Sequence, residues 1–143
     1  MNVAAILREK GNWVATVRPD VPVRRVVGKL DRERIGALIV SEDGNSVDGI
    51  VSERDVVIGL ARYGEELLSH PVETIMSRAV ITCDPGDSVG DLMAEMTNRR
   101  IRHFPVVADG RLCGIVSIGD LVKSRIDEVE FEASSLRSFI AGG

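Results

Sequence analysis

Gly114-Ile115-Val116-Ser117-Ile118-Gly119-Asp120 repeats an earlier heptapeptide, Gly49-Ile50-Val51-Ser52-Glu53-Arg54-Asp55, at five of seven positions. That repetition restricts the fold more than any other feature of the chain. An apolar run ending in Ser, two variable residues and Asp reads as a buried strand entering a helix N-terminus, where free N–H groups favour anions and polyols. The repetition extends beyond the motif. Apolar residues at Val23, Val26, Val27 and Leu30 mark one helix face, and Val89, Leu92, Met93 and Met96 mark the same face 66 residues later. The strands expected from Ile35 and from Ile101 are also 66 apart, whereas Gly49 and Gly114 are 65 apart, so the second hairpin lacks one residue. A chain that repeats β-α-β-β-α at this period folds as two like units. Each alone leaves its sheet half covered, so the two pack together.

The remaining elements follow from local patterns. Val3, Ile6 and Leu7 predict a short amphipathic helix ended by Gly11-Asn12, and Trp13 to Val17 is rich in strand formers. Glu42-Asp43-Gly44-Asn45 predicts a hairpin turn back into Ile50-Val51, followed by a helix from Asp55 to Arg62 stopped near Gly64. In the second unit Val80 to Cys83 predicts a strand and Pro85-Gly86 a turn. Residues 1–68 are assigned to the first unit with its N-terminal helix, 69–127 to the second, and 128–143 to a helical continuation. Val122, Ile126, Val129, Ala133, Leu136 and Ile140 keep a heptad-like spacing. Two arrangements satisfy it: a helix lying across its own domain, or a contact with a second copy. Gly142-Gly143 is expected to cap or fray the end. Trp13, Phe131 and Phe139 are taken as packing residues.

Composition narrows the function. With 44 % hydrophobic and 28 % charged residues among 143, the chain has material for a core, and no run approaches the ~18 apolar residues of a membrane span. Arg8-Glu9-Lys10 interrupts the N-terminal apolar residues where a signal peptide would keep them continuous, so a cytoplasmic location is expected. Cys83 and Cys113 lack metal-ligand spacing and read as core thiols. A net charge of -4 repels polyanions, which argues against nucleic acid and requires any phosphate site to be local. Ser52 and Ser117 have only His70 and His103 available as bases, and neither G-x-S-x-G nor a P-loop spacing occurs, so no catalysis is expected.

The two G-I-V-S-x-x-D copies, the linker Pro71-Val72-Glu73-Thr74-Ile75-Met76-Ser77 and the run Arg100-Ile101-Arg102-His103-Phe104-Pro105-Val106-Val107 together resemble a tandem cystathionine-β-synthase (CBS) domain pair, a Bateman module. The likeness covers about residues 3 to 141 and is closest in kind to small stand-alone bacterial CBS-pair proteins. It implies an α+β fold of two β-α-β-β-α units packed sheet to sheet about a pseudo-two-fold axis, plus a C-terminal helix. It also implies clefts that take adenosine ligands such as AMP, ATP, NAD(H) or S-adenosylmethionine, and disc-shaped homodimers acting on an effector protein that the sequence does not name.

The chemistry of the motif residues agrees. Asp55 and Asp120, one turn into their helices, are placed to accept hydrogen bonds from both hydroxyls of a ribose, with Ser52 and Ser117 at the helix start beside them. Ser-x-x-Asp is equally close to a capping box, in which the acid only satisfies the helix's own N–H groups. Gly49 and Gly114 permit close approach of a backbone or ligand. Gly36, Ala37, Thr82 and Ile101, with Ile115, Ile118 and Gly119, complete the expected backbone and base-pocket set. Arg100, Arg102 and His103, with Arg54 from the first motif, are the phosphate candidates, since a guanidinium fork holds phosphate oxygens in pairs. The alternative is a solvated basic patch. The second motif has Ile118-Gly119 where the first has Glu53-Arg54, so the second site is expected to suit a nucleoside monophosphate better. The rival function is a ligand-free dimerisation or interaction scaffold whose serines are only caps.

Overall fold

The computed structural model describes residues 1–142. Its elements are α1 (Val3–Lys10), β1 (Thr16–Val17), α2 (Val23–Glu33), β2 (Ala37–Val40), β3 (Gly49–Ser52) and α3 (Glu53–Tyr63), then two short 3-10 turns across Gly64–Ser69 and Val72–Thr74. The second half continues with α4 (Val89–Arg99), β4 (His103–Ala108), β5 (Arg111–Ser117) and α5 (Ile118–Gly142). In the first unit β1 pairs parallel with β2, and β2 antiparallel with β3. The second unit has only the β4–β5 hairpin. This is the two-unit α+β architecture that the repeat predicts.

Each unit is closed by a segment that leads into the other. Val3, Ile6 and Leu7 of α1 are buried with Leu92, Phe104 and Val116, in the core of the second unit. Val72 and Met76 of the linker join Val26, Leu38 and Val51 in the core of the first. Backbone bonds repeat the exchange: Val23 N–H donates to His70 O at 2.8 Å, and Val89 N–H donates to Met1 O at 3.3 Å, so each exchanged segment also caps a helix of its host. The helix assigned by sequence to the first unit therefore packs on the second.

The strand expected over Val80 to Cys83 is reduced to a single bridge, in which Cys83 N–H donates to Pro105 O and Val107 N–H donates to Cys83 O, both at 2.9 Å. Prolines limit it on both sides. Extending the parallel ladder backward needs an N–H from Pro105, and extending it forward needs one from Pro85; neither residue has one. At the start of the chain, strand pairing begins only near Ala15, and Trp13 is largely exposed. Phe131 and Phe139 are exposed as well, so none of the three aromatics expected to pack does so.

A helix lying across its own domain is found only for the first part of α5. Leu121 and Ser124 are buried, but the rest of the helix runs on with its apolar residues in solvent. Gly142 is still helical, and the cap expected at Gly142-Gly143 extends outside the described residues.

The two motif glycines are approached by protein rather than left open. A Cβ on Gly49 would meet Met76 Sδ at 2.6 Å and Ser77 O at 3.0 Å, and one on Gly114 would meet Leu7 Cδ2 at 2.7 Å. Gly49→Ala is expected to cost about 1–3 kcal/mol by overpacking. Gly90→Ala, which adds a methyl group into open space on α4, should be neutral or stabilise by up to about 1 kcal/mol. Urea denaturation of both variants checks the contrast.

Candidate functional site

Both motifs fold as strand-to-helix junctions. Glu53 N–H donates to Gly36 O at 3.1 Å and Ile118 N–H donates to Arg102 O at 2.8 Å, so each helix start is pinned to the chain just before β2 or β4. The serine and aspartate form reciprocal caps. Ser52 N–H and Oγ donate to Asp55 Oδ2 at 2.8 and 3.1 Å, and Asp55 N–H donates back to Ser52 Oγ at 3.4 Å. Ser117 N–H donates to Asp120 Oδ2 at 2.9 Å, with the return bond to Ser117 Oγ at 3.2 Å. The capping alternative is thus realised in both copies, and it does not exhaust either carboxylate: Oδ1 of Asp55 and of Asp120 has no hydrogen-bond partner among the described residues. Capping fixes the carboxylate rotamer and leaves one acceptor oxygen unused.

The copies part at the next contact. Lys10 at the end of α1 donates to Asp120 Oδ2 at 2.8 Å and to Ile115 O at 3.0 Å. Burial would raise the Asp120 carboxyl, but the Lys10 bond and the Ser117 N–H outweigh it and hold the group below its usual range. Asp55 has no such cation among the described residues: the exchanged segments match at an offset of 69, with Leu7 covering Gly114 as Met76 covers Gly49, and this puts Ala79 where the second unit has Lys10.

One large cleft lies between the units, with a volume of about 1020 Å³. Ser52, Glu53, Arg54 and Asp55 form one wall, and Arg100, Ile101, Arg102 and His103 another. Gly36, Ile118 and the segment Ser77, Ala79, Val80 and Ile81 complete the enclosure. The basic cluster therefore shares a cavity with the first motif, and Asp120 is not among its walls. The local reason is visible in the backbone. Arg100 caps α4 in the left-handed conformation at φ 56°, a tight turn that brings the following residues to the cleft, and the His103 ring lies against Gly36 of the first unit. Burial pulls His103 below its ordinary pKa; Asp120 opposes the fall and Lys10 adds to it, so the ring is neutral at pH 7. Arg99 is turned away into an ion pair with Glu95 at 2.6 Å.

Other expected site residues lie elsewhere. Thr82 is exposed and is not among the cleft walls, whereas its neighbours Val80 and Ile81 are. Ala37 is buried in the sheet, Gly49 and Gly114 are covered by Met76 and Leu7, and Ile115 presents its carbonyl to Lys10. Gly119 is not a wall either. Sequence reasoning missed Lys10, Met96 and Thr97. The match of Val3 with Val72 and of Leu7 with Met76, at an offset of 69 rather than 66, could have shown that Ala79 stands in the first unit where Lys10 stands in the second. Burial pushes the Cys83 thiol up to about 12, with Asp87 adding to the rise, so this thiol stays protonated and unreactive at neutral pH.

The CBS domain model matches residues 14–62 and again 72–127. The chain belongs to the CBS domain family. As a CBS pair it is 34 % identical over 137 residues to the mitochondrial CBS domain-containing protein CBSX3 of Arabidopsis thaliana, a match that covers 93 % of this chain and 66 % of the plant protein. It thus spans just under two thirds of that relative. A CBS-domain protein of Agrobacterium tumefaciens superimposes with a TM-score of 0.84 at 41 % identity, covering 87 % of this chain and 92 % of the other. A CBS domain protein of Pyrobaculum aerophilum, solved in complex with AMP, superimposes with a TM-score of 0.78 at 26 % identity, covering 93 % and 99 % of the two chains. No helix among the described residues of this CBS pair is long and apolar enough to cross a membrane.

The Lys10–Asp120 pair is half-buried and ties α1 to the second motif. Lys10→Met, which keeps a long side chain and removes its charge, is expected to cost about 1 kcal/mol at pH 7, toward the lower end for a charged hydrogen bond because both groups meet solvent. A carboxyl whose folded-state pKa is depressed adds stability above its unfolded value of about 3.9 and loses it as pH falls through the folded value. The gap between wild type and variant should therefore close below about pH 4, as read from urea midpoints at pH 7 and pH 3.

Proposed function

We propose that this CBS pair is a non-catalytic regulatory module that binds an adenosine nucleotide in the cleft bearing Asp55, and works as a cytoplasmic homodimer on an effector protein. AMP is the favoured ligand type, with NAD(H) the larger option. One observation carries the reading: a carboxylate with a free Oδ1 shares a single cavity with Arg54, Arg100 and Arg102. Asp55 would take the ribose hydroxyls, the guanidinium groups the phosphate, and Ile101 and Ile118 the base. His103, neutral before binding, would be drawn toward its charged form by a phosphate, adding a donor. The AMP complex of the Pyrobaculum aerophilum protein supports the ligand class. The cleft volume of about 1020 Å³ is at the upper end of ordinary small-molecule pockets, roughly 300–1,000 Å³, and so has room for a nucleotide.

This assignment favours the first motif over the second, the reverse of what Ile118-Gly119 suggested. Asp120 is engaged by Lys10, and a diol there would have to compete with an ammonium group at 2.8 Å. Binding transmits a signal only where affinity differs between two packings of the units, and a ligand touching both walls of the cleft meets that condition.

A thermal-melt panel of AMP, ADP, ATP, NAD, NADH and S-adenosylmethionine tests the ligand class; a ligand at about 100 times its dissociation constant adds about 2.7 kcal/mol. No shift at millimolar concentration would favour the scaffold instead, for which the self-completed caps are the supporting observation. Calorimetry with Asp55→Ala should show a loss of roughly 1.5–3 kcal/mol in nucleotide affinity, and Asp120→Ala a much smaller one. Equal losses at both positions would overturn the assignment of the site to the first motif.

A further inference from the structure

Residues Leu121, Ser124 and Glu128 mark the face of α5 that meets the body of the protein. A different face carries Val122, Ile126, Val129, Ala133, Leu136 and Ile140. Five of these are large apolar residues left between 38 % and 70 % exposed, and Ala133 is exposed too. A stripe three to four residues apart over five helical turns is the seam of a coiled coil, with Ile126, Ala133 and Ile140 at the a positions and Val122, Val129 and Leu136 at d. A seam alone does not name its partner. The charges beside it do.

With that register, Arg125 and Glu132 stand at g positions, and Glu130 and Arg137 at e. In a parallel pair of identical helices a g residue faces the e residue five positions on in its partner. Arg125 then meets Glu130 of the second copy and Glu132 meets Arg137, so both pairs are of opposite charge and each occurs twice by symmetry. Antiparallel pairing through the same core, Ile126 against Leu136 and Val129 against Ala133, instead brings Glu130 against Glu130, Glu132 against Glu132 and Lys123 against Arg137. All three are like-charge contacts. Within the single chain Glu130, Glu132 and Arg137 have no ion-pair partner among the described residues, and Arg125 has only an exposed bond to Glu128 at 3.3 Å, which is readily exchanged.

We infer that α5 is a homodimerisation helix whose exposed seam pairs in parallel and in register with α5 of a second copy. This deepens the homodimer part of the preceding reading by naming the surface and its orientation, and does not depend on the ligand. Parallel pairing sets both modules at the same end of the helix pair, on opposite sides of one two-fold axis that runs along it and relates their clefts.

Light scattering on the full chain should give twice 15.5 kDa at tens of micromolar. Ile126→Asp combined with Leu136→Asp should halve that mass while leaving the melting behaviour of the body and any nucleotide-induced shift in place, since both side chains are exposed. A monomeric wild-type chain overturns the proposal. So does a dimer that survives the double substitution, which would place the contact elsewhere. If the nucleotide shift is missing while the seam variants still dissociate the dimer, the ligand reading fails and this one stands. Orientation is read separately. In a Cys113→Ser background, with Cys83 buried, Ala133→Cys should cross-link to its own copy on oxidation. In antiparallel pairing position 133 faces Val129, and no such product forms. Arg125→Glu should weaken the dimer several-fold, and Arg125→Glu with Glu130→Arg should restore it; failure of the second change to rescue the first overturns the parallel arrangement.

Discussion

A small open sheet has two faces, and neither half of this chain carries enough structure to cover both of its own. The solution is exchange. The helix that precedes the first unit seals the second, through Val3, Ile6 and Leu7, and the linker that precedes the second seals the first, through Val72 and Met76. Removing either segment would expose fully buried side chains, Phe104, Val106 and Val116 on one side and Leu38, Val40 and Val51 on the other. Burial of such residues is the main favourable term in folding, so the units are obligate partners. The cleft between them is walled by residues of both units, which this exchange holds together.

Duplication followed by divergence then gives two junctions with one geometry and different surroundings. The reciprocal Ser–Asp cap is present in both, which is what a helix start needs. Near the second carboxylate α1 brings Lys10, whereas the matching position of the linker is Ala79, a cleft wall with no charge to offer Asp55. One acid is neutralised within the protein and the other faces a cavity rich in guanidinium groups. The same motif thus serves as a structural tie in one copy and as an available acceptor in the other.

Much of this was legible in the sequence, and the parts that were not share a cause. The repeat, 66 residues for the helices and 65 for the motifs, located the helices and both junctions, because helix periodicity and strand-to-helix punctuation are local properties. The short bridge at Cys83 was legible in principle, since Pro85 and Pro105 mark its limits, although the apolar run Val80-Ile81 reads more readily as a strand. Which unit α1 would cover was not legible, because its apolar face suits either sheet equally well. The same is true of the cleft faced by Arg100, Arg102 and His103: their direction depends on His103 lying against Gly36, a contact between residues far apart in the chain. For α5 the seam could be read but its burial could not, since a heptad pattern fits packing on its own body as well as packing on another.

The two prolines that reduce the Cys83 strand to one bridge have a further effect. A two-stranded hairpin such as β4–β5 is open to recruiting a foreign strand along β4, and unguarded edges of that kind lead to aggregation. Here Pro105 offers no N–H, and Cys83 already occupies the carbonyl of Pro105 and the N–H of Val107. A strand arriving from another molecule would find the central hydrogen-bonding positions of that edge either missing or taken. The residues that break the expected strand also protect the hairpin from its own kind.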